Sequence, residues 1–168
     1  YRRLVSLMPK NAEAERRLGR ALVDAARGPA QSSPGTTQFD KTRLMTEAKE
    51  SFDKALEIAP DYPAALSDRL TLERVLTGDA GALKLAQDLA NARKDSIARL
   101  VVLGDFATAV DKHDLALTSY RAVWDKVKNG ESLRRLYSAL SITGKATEGL
   151  QMLKTWAAEH PTDYDTRF

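Results

Sequence analysis

Apolar residues recur along this chain at helical spacing. Leu100, Leu103, Ala107 and Val110 fall on one face, and Leu115, Val123 and Val127 on the next. Polar turn signals separate such stripes: Thr77-Gly78-Asp79, Asp111-Lys112-His113-Asp114, Asn129-Gly130 and Thr143-Gly144. Asp95 or Ser96 can cap the helix that follows them. The pattern predicts helices near 1–8, 11–26, 38–59, 63–77, 80–92, 95–110, 113–127, 130–143 and 146–159, with a further stub from about 163. No strand is expected.

The stripes repeat. A small residue followed one turn later by a larger one appears as Ala48-Phe52, Ala116-Tyr120 and Gly149-Leu153, and Ala82, ahead of Ala86 and Leu89, keeps the same place in the frame. Positions 48, 82, 116 and 149 lie 34, 34 and 33 residues apart. Pro9, Pro60 and Pro161 end helical stretches on the same beat, and Lys94 and Lys128 take that slot in between. The small residues at 19, 48, 82, 104, 116 and 149 are expected to let paired helices approach closely. No helix buries its stripe alone, so each pair leans on its neighbours.

These units resemble the tetratricopeptide repeat (TPR) family, whose pattern runs W-x2-L-G-x2-Y, A-x3-F and P over about 34 residues. Leu18, Gly19, Leu22, Ala48, Phe52, Ala55 and Pro60 carry the first match. Leu100, Leu103, Gly104, Ala107, Ala116 and Tyr120 carry the third, and Leu133, Leu136, Leu140, Leu153, Trp156 and Pro161 the fourth. The second is degenerate, with Arg69-Leu70 where Leu-Gly is expected. The resemblance implies an all-α, right-handed α-α superhelix of antiparallel helix pairs. It divides the chain into the end of a preceding repeat (1–10), a repeat with an inserted loop at 27–42 (11–62), a degenerate repeat (63–94), two further repeats (95–129 and 130–162) and the start of another (163–168).

The insertion departs from the period. Leu18 and Ala48 are 30 positions apart, against about 13 in the repeat. Residues 27–35 have loop composition, and helical spacing returns from Phe39. The insertion reads as a tolerated surface loop or as a partner-contacting arm. Residues 28–36 are expected to be dispensable for stability.

Composition narrows the function. Net charge is +3 from 26 basic and 23 acidic residues, a mixed surface that does not point to nucleic acid. There is no cysteine, which removes disulfides and thiolate chemistry. No apolar run reaches the length of a membrane span. The opening at Tyr1 and the close at 163–168 read as cuts, so a longer chain is expected.

Candidate chemistry is sparse. His113 sits among turn residues and His160 precedes Pro161 at a helix end, where a histidine ordinarily caps the helix. Neither belongs to a metal-binding cluster, and no phosphate-binding loop or nucleophile elbow occurs, so no metal, cofactor or catalytic residue is expected. Tyr120, Tyr137 and Trp156 fall on repeat positions that pack inside, while Trp124 lies off them. The pairs Arg2-Arg3, Arg16-Arg17 and Arg134-Arg135 read as solvated faces.

The resemblance implies a protein-binding groove lined by the first helix of each pair. Arg16, Arg20, Asp24, Arg74, Asp105, Arg134 and Ser138 are its candidate contact residues. Arginine forks there suit carboxylates on a protein or peptide partner. The chaperone-tail carboxylate clamp of some TPR domains does not carry over. Its positions correspond to Arg16, Arg20, Asp68, Ala98 and Val102, and only the first is suitable.

The stretches 103–105, 120–123 and 156–161 are also similar in style to bacterial TPR lipoproteins of exosortase (PEP-CTERM) and exopolysaccharide systems. This implies a scaffold for polysaccharide or protein export in the periplasm or cell envelope, with a cytoplasmic location the alternative. A helical arm of a larger enzyme, such as a glycosyltransferase, is the alternative function.

Overall fold

The computed structural model describes residues 1–28 and 38–163, and among them there are eight helices and no strand. They are α1 (Arg2–Leu7), α2 (Ala12–Arg27), α3 (Gln38–Ile58), α4 (Pro63–Ala92), α5 (Ile97–Ala109), α6 (His113–Lys126), α7 (Gly130–Ile142) and α8 (Ala146–Glu159). The insertion at residues 29–37 and the stub at 164–168 lie outside the described residues. The chain forms two compact units, Tyr1–Leu85 and Ala86–Phe168.

Helix ends fall where the turn chemistry demands. The Asn11 side chain accepts the Ala14 N–H at 3.0 Å and opens α2. Ser96, rather than Asp95, caps α5; Asp95 pairs with Lys126 instead. Asn129 and Ser132 form a reciprocal capping box at the start of α7. Asn129-Gly130 is thus the beginning of a helix as well as the end of a turn. His113 is likewise the first residue of α6, not a turn residue. The two helices expected at 63–77 and 80–92 run together as α4 around a break at Gly78, where φ is 77° and ψ is −176°. Only glycine takes that backbone without strain.

In the first unit α2 packs against α3. Leu22, Val23, Ala48, Phe52 and Leu72 form a buried cluster with Leu18, Leu44 and Met45 around it. Phe52 reaches across to Gly19, where a Cβ would lie 2.6 Å from the ring. The degenerate second repeat keeps its packing by another route. Arg69 is only 5% exposed and bridges Asp53 at 2.9 Å and Glu73 at 2.7 Å.

In the second unit α5 packs on α6, α6 on α7, and α7 on α8. Leu103, Ala107, Ala116, Leu117, Tyr120, Val123, Leu133, Leu136, Leu140 and Leu153 are buried. Each large side chain removed from water contributes about 1.5–3 kcal/mol. Tyr120 lies over Gly104, where a Cβ would meet its ring at 2.6 Å. On α7 and α8 the arrangement is inverted: Tyr137, on the first helix, lies over Gly149, on the second, at 2.6 Å from a Cβ placed there.

Trp156 departs from the expected interior position. It is half-buried, meets Trp124 edge-on with ring centroids 5.6 Å apart, and carries the His160 ring stacked at 3.6 Å. Its Nε1–H donates to Asp163 at 2.7 Å. His160 closes α8, its backbone N–H bonded to the Trp156 carbonyl.

Candidate interaction surfaces

On the first unit the exposed side of α2 carries Glu13, Arg16, Arg17, Arg20 and Asp24. Arg16 is committed to structure. Its Nε and Nη2 donate to the two Glu13 oxygens at 2.7 and 3.0 Å, and Nη1 reaches Asp68 on α4 at 2.7 Å. The Tyr62 hydroxyl donates to Glu13 at 2.5 Å, and Arg17 donates to it at 2.6 Å. Hydrogen bonds from Arg16, then Tyr62 and Arg17, hold the Glu13 carboxyl well below the usual carboxylate range. The same bond to Glu13, followed by burial, pushes the Tyr62 phenol up.

Arg20 stands one turn beyond Arg16 and makes no hydrogen bond or ion pair among the described residues. It lines two adjoining cavities. One, about 360 Å³, is shared with Tyr1, Arg16, Arg17, Ala21 and Asp24. The other, about 130 Å³, is shared with Asp24, Arg27, Phe52, Asp68 and Thr71 among others. Arg20 and Asp24 are therefore brought together, with Arg16 beside them. Arg74 is exposed and pairs with Asp79 across the Gly78 break.

On the second unit Asp105 accepts from the Tyr120 hydroxyl at 2.7 Å and from Arg135 Nη1 at 2.5 Å. Burial, then the hydrogen bond to Asp105, pushes the Tyr120 phenol up to about 12. Arg135 also donates through Nε to Glu131 at 3.1 Å, and Arg134 pairs with the same glutamate. Ser138 is exposed beside a cavity of about 190 Å³ that Arg135 also lines. Asp105 and Ser138 thus come together around Arg135, while Arg134 points its charge at Glu131.

Sequence reasoning missed Arg135 as a separate participant and set it with Arg134 as solvated surface. The available signal was Glu131 four residues before it, an i,i+4 pair that fixes a guanidinium in place. It also missed a third surface. Trp124, Met152, Thr155 and Trp156, with Glu148 and Glu159 at the rim, line an open apolar cleft of about 360 Å³. Among the described residues no cluster of three potential metal ligands occurs, and no helix is long and apolar enough to cross a membrane.

No family model matches the sequence, and no curated protein matches it. Solved structures do. The chain is similar to a crystal structure of MamA at 16% identity and a TM-score of 0.54, over 100% of this chain and 83% of that one. It is similar to TTC0263, a thermophilic TPR protein of Thermus thermophilus, at 18% identity and 0.54, over 83% and 69%. It is also similar to YrrB, a TPR protein with an unusual peptide-binding site, at 13% identity and 0.50, over 98% and 94%. The chain has the fold of the TPR solenoid proteins.

Proposed function

We propose that this chain is a non-catalytic scaffold that binds an acidic segment of a protein or peptide partner, with Arg20 as the leading contact. Arg20 carries the reading: an arginine with no internal partner among the described residues, held at the meeting of two cavities. Arg16 and Arg17 add charge beside it. Asp24 sets a polar limit to the surface. On the second unit Asp105, Arg134 and Ser138 form a separate polar face, and Arg74 is a peripheral member on the first. The same fold accommodates a peptide-binding site in YrrB. A role in bacterial envelope, exopolysaccharide or protein export is supported by the stretches 103–105, 120–123 and 156–161 alone. Fractionation of cells expressing the native protein tests that setting.

The binding test uses a fluorescein-labelled acidic decapeptide and its Gln/Asn twin, followed by fluorescence anisotropy. The acidic peptide should bind the more tightly, and should weaken as salt rises from about 0.02 M to about 0.3 M. Arg20→Ala should weaken it by about fivefold or more, consistent with loss of a charge-assisted hydrogen bond, while melting stays near the parent. Equal binding of both peptides, or an unaffected Arg20→Ala variant, refutes the reading.

A further inference from the structure

We infer that the cleft formed by Trp124 on α6 and by Met152 and Trp156 on α8 is a seat for a basic side chain of a protein partner, arginine foremost, with Glu159 as its counter-ion. The cleft belongs to the second unit, whereas Arg20 belongs to the first, so the inference does not rest on the acidic-partner reading.

The cleft is open, about 360 Å³ in volume, and its walls are chiefly the two indoles and the Met152 thioether. Trp124 and Trp156 are both half-buried rather than closed into the core. Their rings meet at 70° with centroids 5.6 Å apart, which makes a corner and not a flat stack. His160 stacks on Trp156 at 3.6 Å but does not line the cleft. Tryptophan faces left half in water at one spot are the usual anchors of protein contacts.

The rim sets the charge of the occupant. Among the described residues Glu148 and Glu159 are the only charged side chains that line the cleft, and both are acidic. They lie 11 positions apart on α8 and so stand at opposite ends, about 16 Å from each other along the helix. Glu148 is already paired with Arg121 at 2.6 Å. Glu159 is exposed and makes no hydrogen bond or ion pair among the described residues. It follows Trp156 by three residues, on the same side of the helix. Trp156 donates its Nε1–H to the Asp163 carboxylate at 2.7 Å. An anionic acceptor on the indole N–H adds electron density to the ring, and a more negative face holds a cation better.

Three kinds of side chain compete for such a place. A carboxylate is repelled by Glu159. An aliphatic side chain covers the indoles but takes water from Glu159 and returns no partner to it. A basic side chain does both tasks: its methylene stem lies on the rings and its head reaches the free carboxylate. Arginine fits better than lysine, because a planar guanidinium stacks on an indole and forks to a carboxylate.

Trp124 and Trp156 are the only tryptophans in the chain, so all indole emission comes from this cleft. The probe is acetyl-Gly-Arg-Gly-amide, with citrulline and leucine twins, titrated into the full chain at fixed pH. The Arg peptide should change the emission saturably. The citrulline twin, alike in shape and uncharged, should bind about fivefold or more weakly. Glu159→Gln should weaken the Arg peptide by a similar factor, and Glu148→Gln by less than about twofold. Trp124→Leu should weaken it as well, with Trp156 left to report. Glu159→Gln changes an exposed position and keeps the test open should Trp124→Leu fail to fold. Arg20→Ala should leave the response unchanged, so this site and the acidic-partner reading succeed or fail separately.

A leucine twin that binds as tightly as the Arg peptide would show a purely apolar groove and overturn the proposal. No saturable change with the Arg peptide would overturn it too. Equal losses from Glu148→Gln and Glu159→Gln would show diffuse attraction to an acidic surface in place of a seated cation, and would also overturn it.

Discussion

Tyr137 fills the space above Gly149, whereas Phe52 and Tyr120 fill the space above Gly19 and Gly104 from the opposite helix of their pairs. Large and small have exchanged sides between α7 and α8. The contact is tight, since an added Cβ would sit 2.6 Å from the Tyr137 ring and 3.5 Å from Leu140 Cβ. Helix propensity alone favours Gly149→Ala by roughly 0.5–1 kcal/mol. Packing predicts the reverse, a loss of about 1–3 kcal/mol. Urea unfolding of Gly149→Ala decides by sign. In a cycle with Tyr137→Ala, the double variant should lose less than the two single losses together.

Ala116 is 1% exposed on the α6 face below Tyr120. Ala116→Arg adds bulk and charge to a buried position on the edge of the cavity that Arg135 and Ser138 line, next to the Arg135 cation, and a loss of about 3 kcal/mol or more is expected. Damage should spread beyond the α5–α6 pair, because an array is held by nearest-neighbour interfaces. Hydrogen exchange would show lost protection in α7 as well. Unchanged melting would mean that the repeat register is wrong.

Arg69 replaces an apolar consensus position yet lies buried between Asp53 and Glu73. Arg69→Met leaves Glu73 with its charge and without its main partner, and should cost roughly 3 kcal/mol. Adding Glu73→Gln should recover part of that loss. Chemical denaturation of the three variants provides the comparison.

Two pH limits follow from the hydrogen-bonded networks. Glu13 titrates far below its unfolded value, so its contribution is present above about pH 4.5 and is lost as pH falls toward the native value. Glu13→Gln should flatten the acid limb of the stability curve. Tyr120 is raised from 10.0 to about 12, so its contribution is present below pH 10 and is lost between 10 and 12. Tyr120→Phe should flatten the alkaline limb, and the late-ionising part of the phenolate absorbance, which Tyr62 shares, should shrink in that variant.

The helix pairs were legible because burial forces a 3.6-residue beat, and the glycines and asparagines fell at real ends. Leu103, Ala107 and Val123 are buried as the stripes predict, while Leu100, Val110, Leu115 and Val127 are only half-buried and Leu117 is buried instead. A stripe gives the face of a helix, not the depth of each residue. The Tyr137–Gly149 exchange escaped for a related reason. Periodicity marks where two helices meet and is silent on which one supplies the volume. Trp156 was expected inside, but Trp124 and His160 on its flanks give it a half-exposed aromatic stack. At the candidate site Arg16 and Arg20 looked alike in sequence. Glu13 is three residues from the first, but Asp68 is 52 away, and that long-range partner helps commit Arg16 to the framework.

The inverted contact on α7 and α8 also bears on how the chain finds its own partners. Similar helices repeated along one chain invite mispairing during folding. A trial pairing of α7 with α6 in the α5 manner would bring Tyr137 and Tyr120 into one slot. A pairing of α5 with α8 would set Gly104 opposite Gly149 and leave a hole. Each mistake is disfavoured by volume, through overlap in the first and an unfilled space in the second. Refolding of a Tyr137→Gly, Gly149→Ala variant should therefore yield more trapped species than the parent. The two residues serve as a lock and a key cut for each other alone, so the repeats, although alike in outline, are not interchangeable parts.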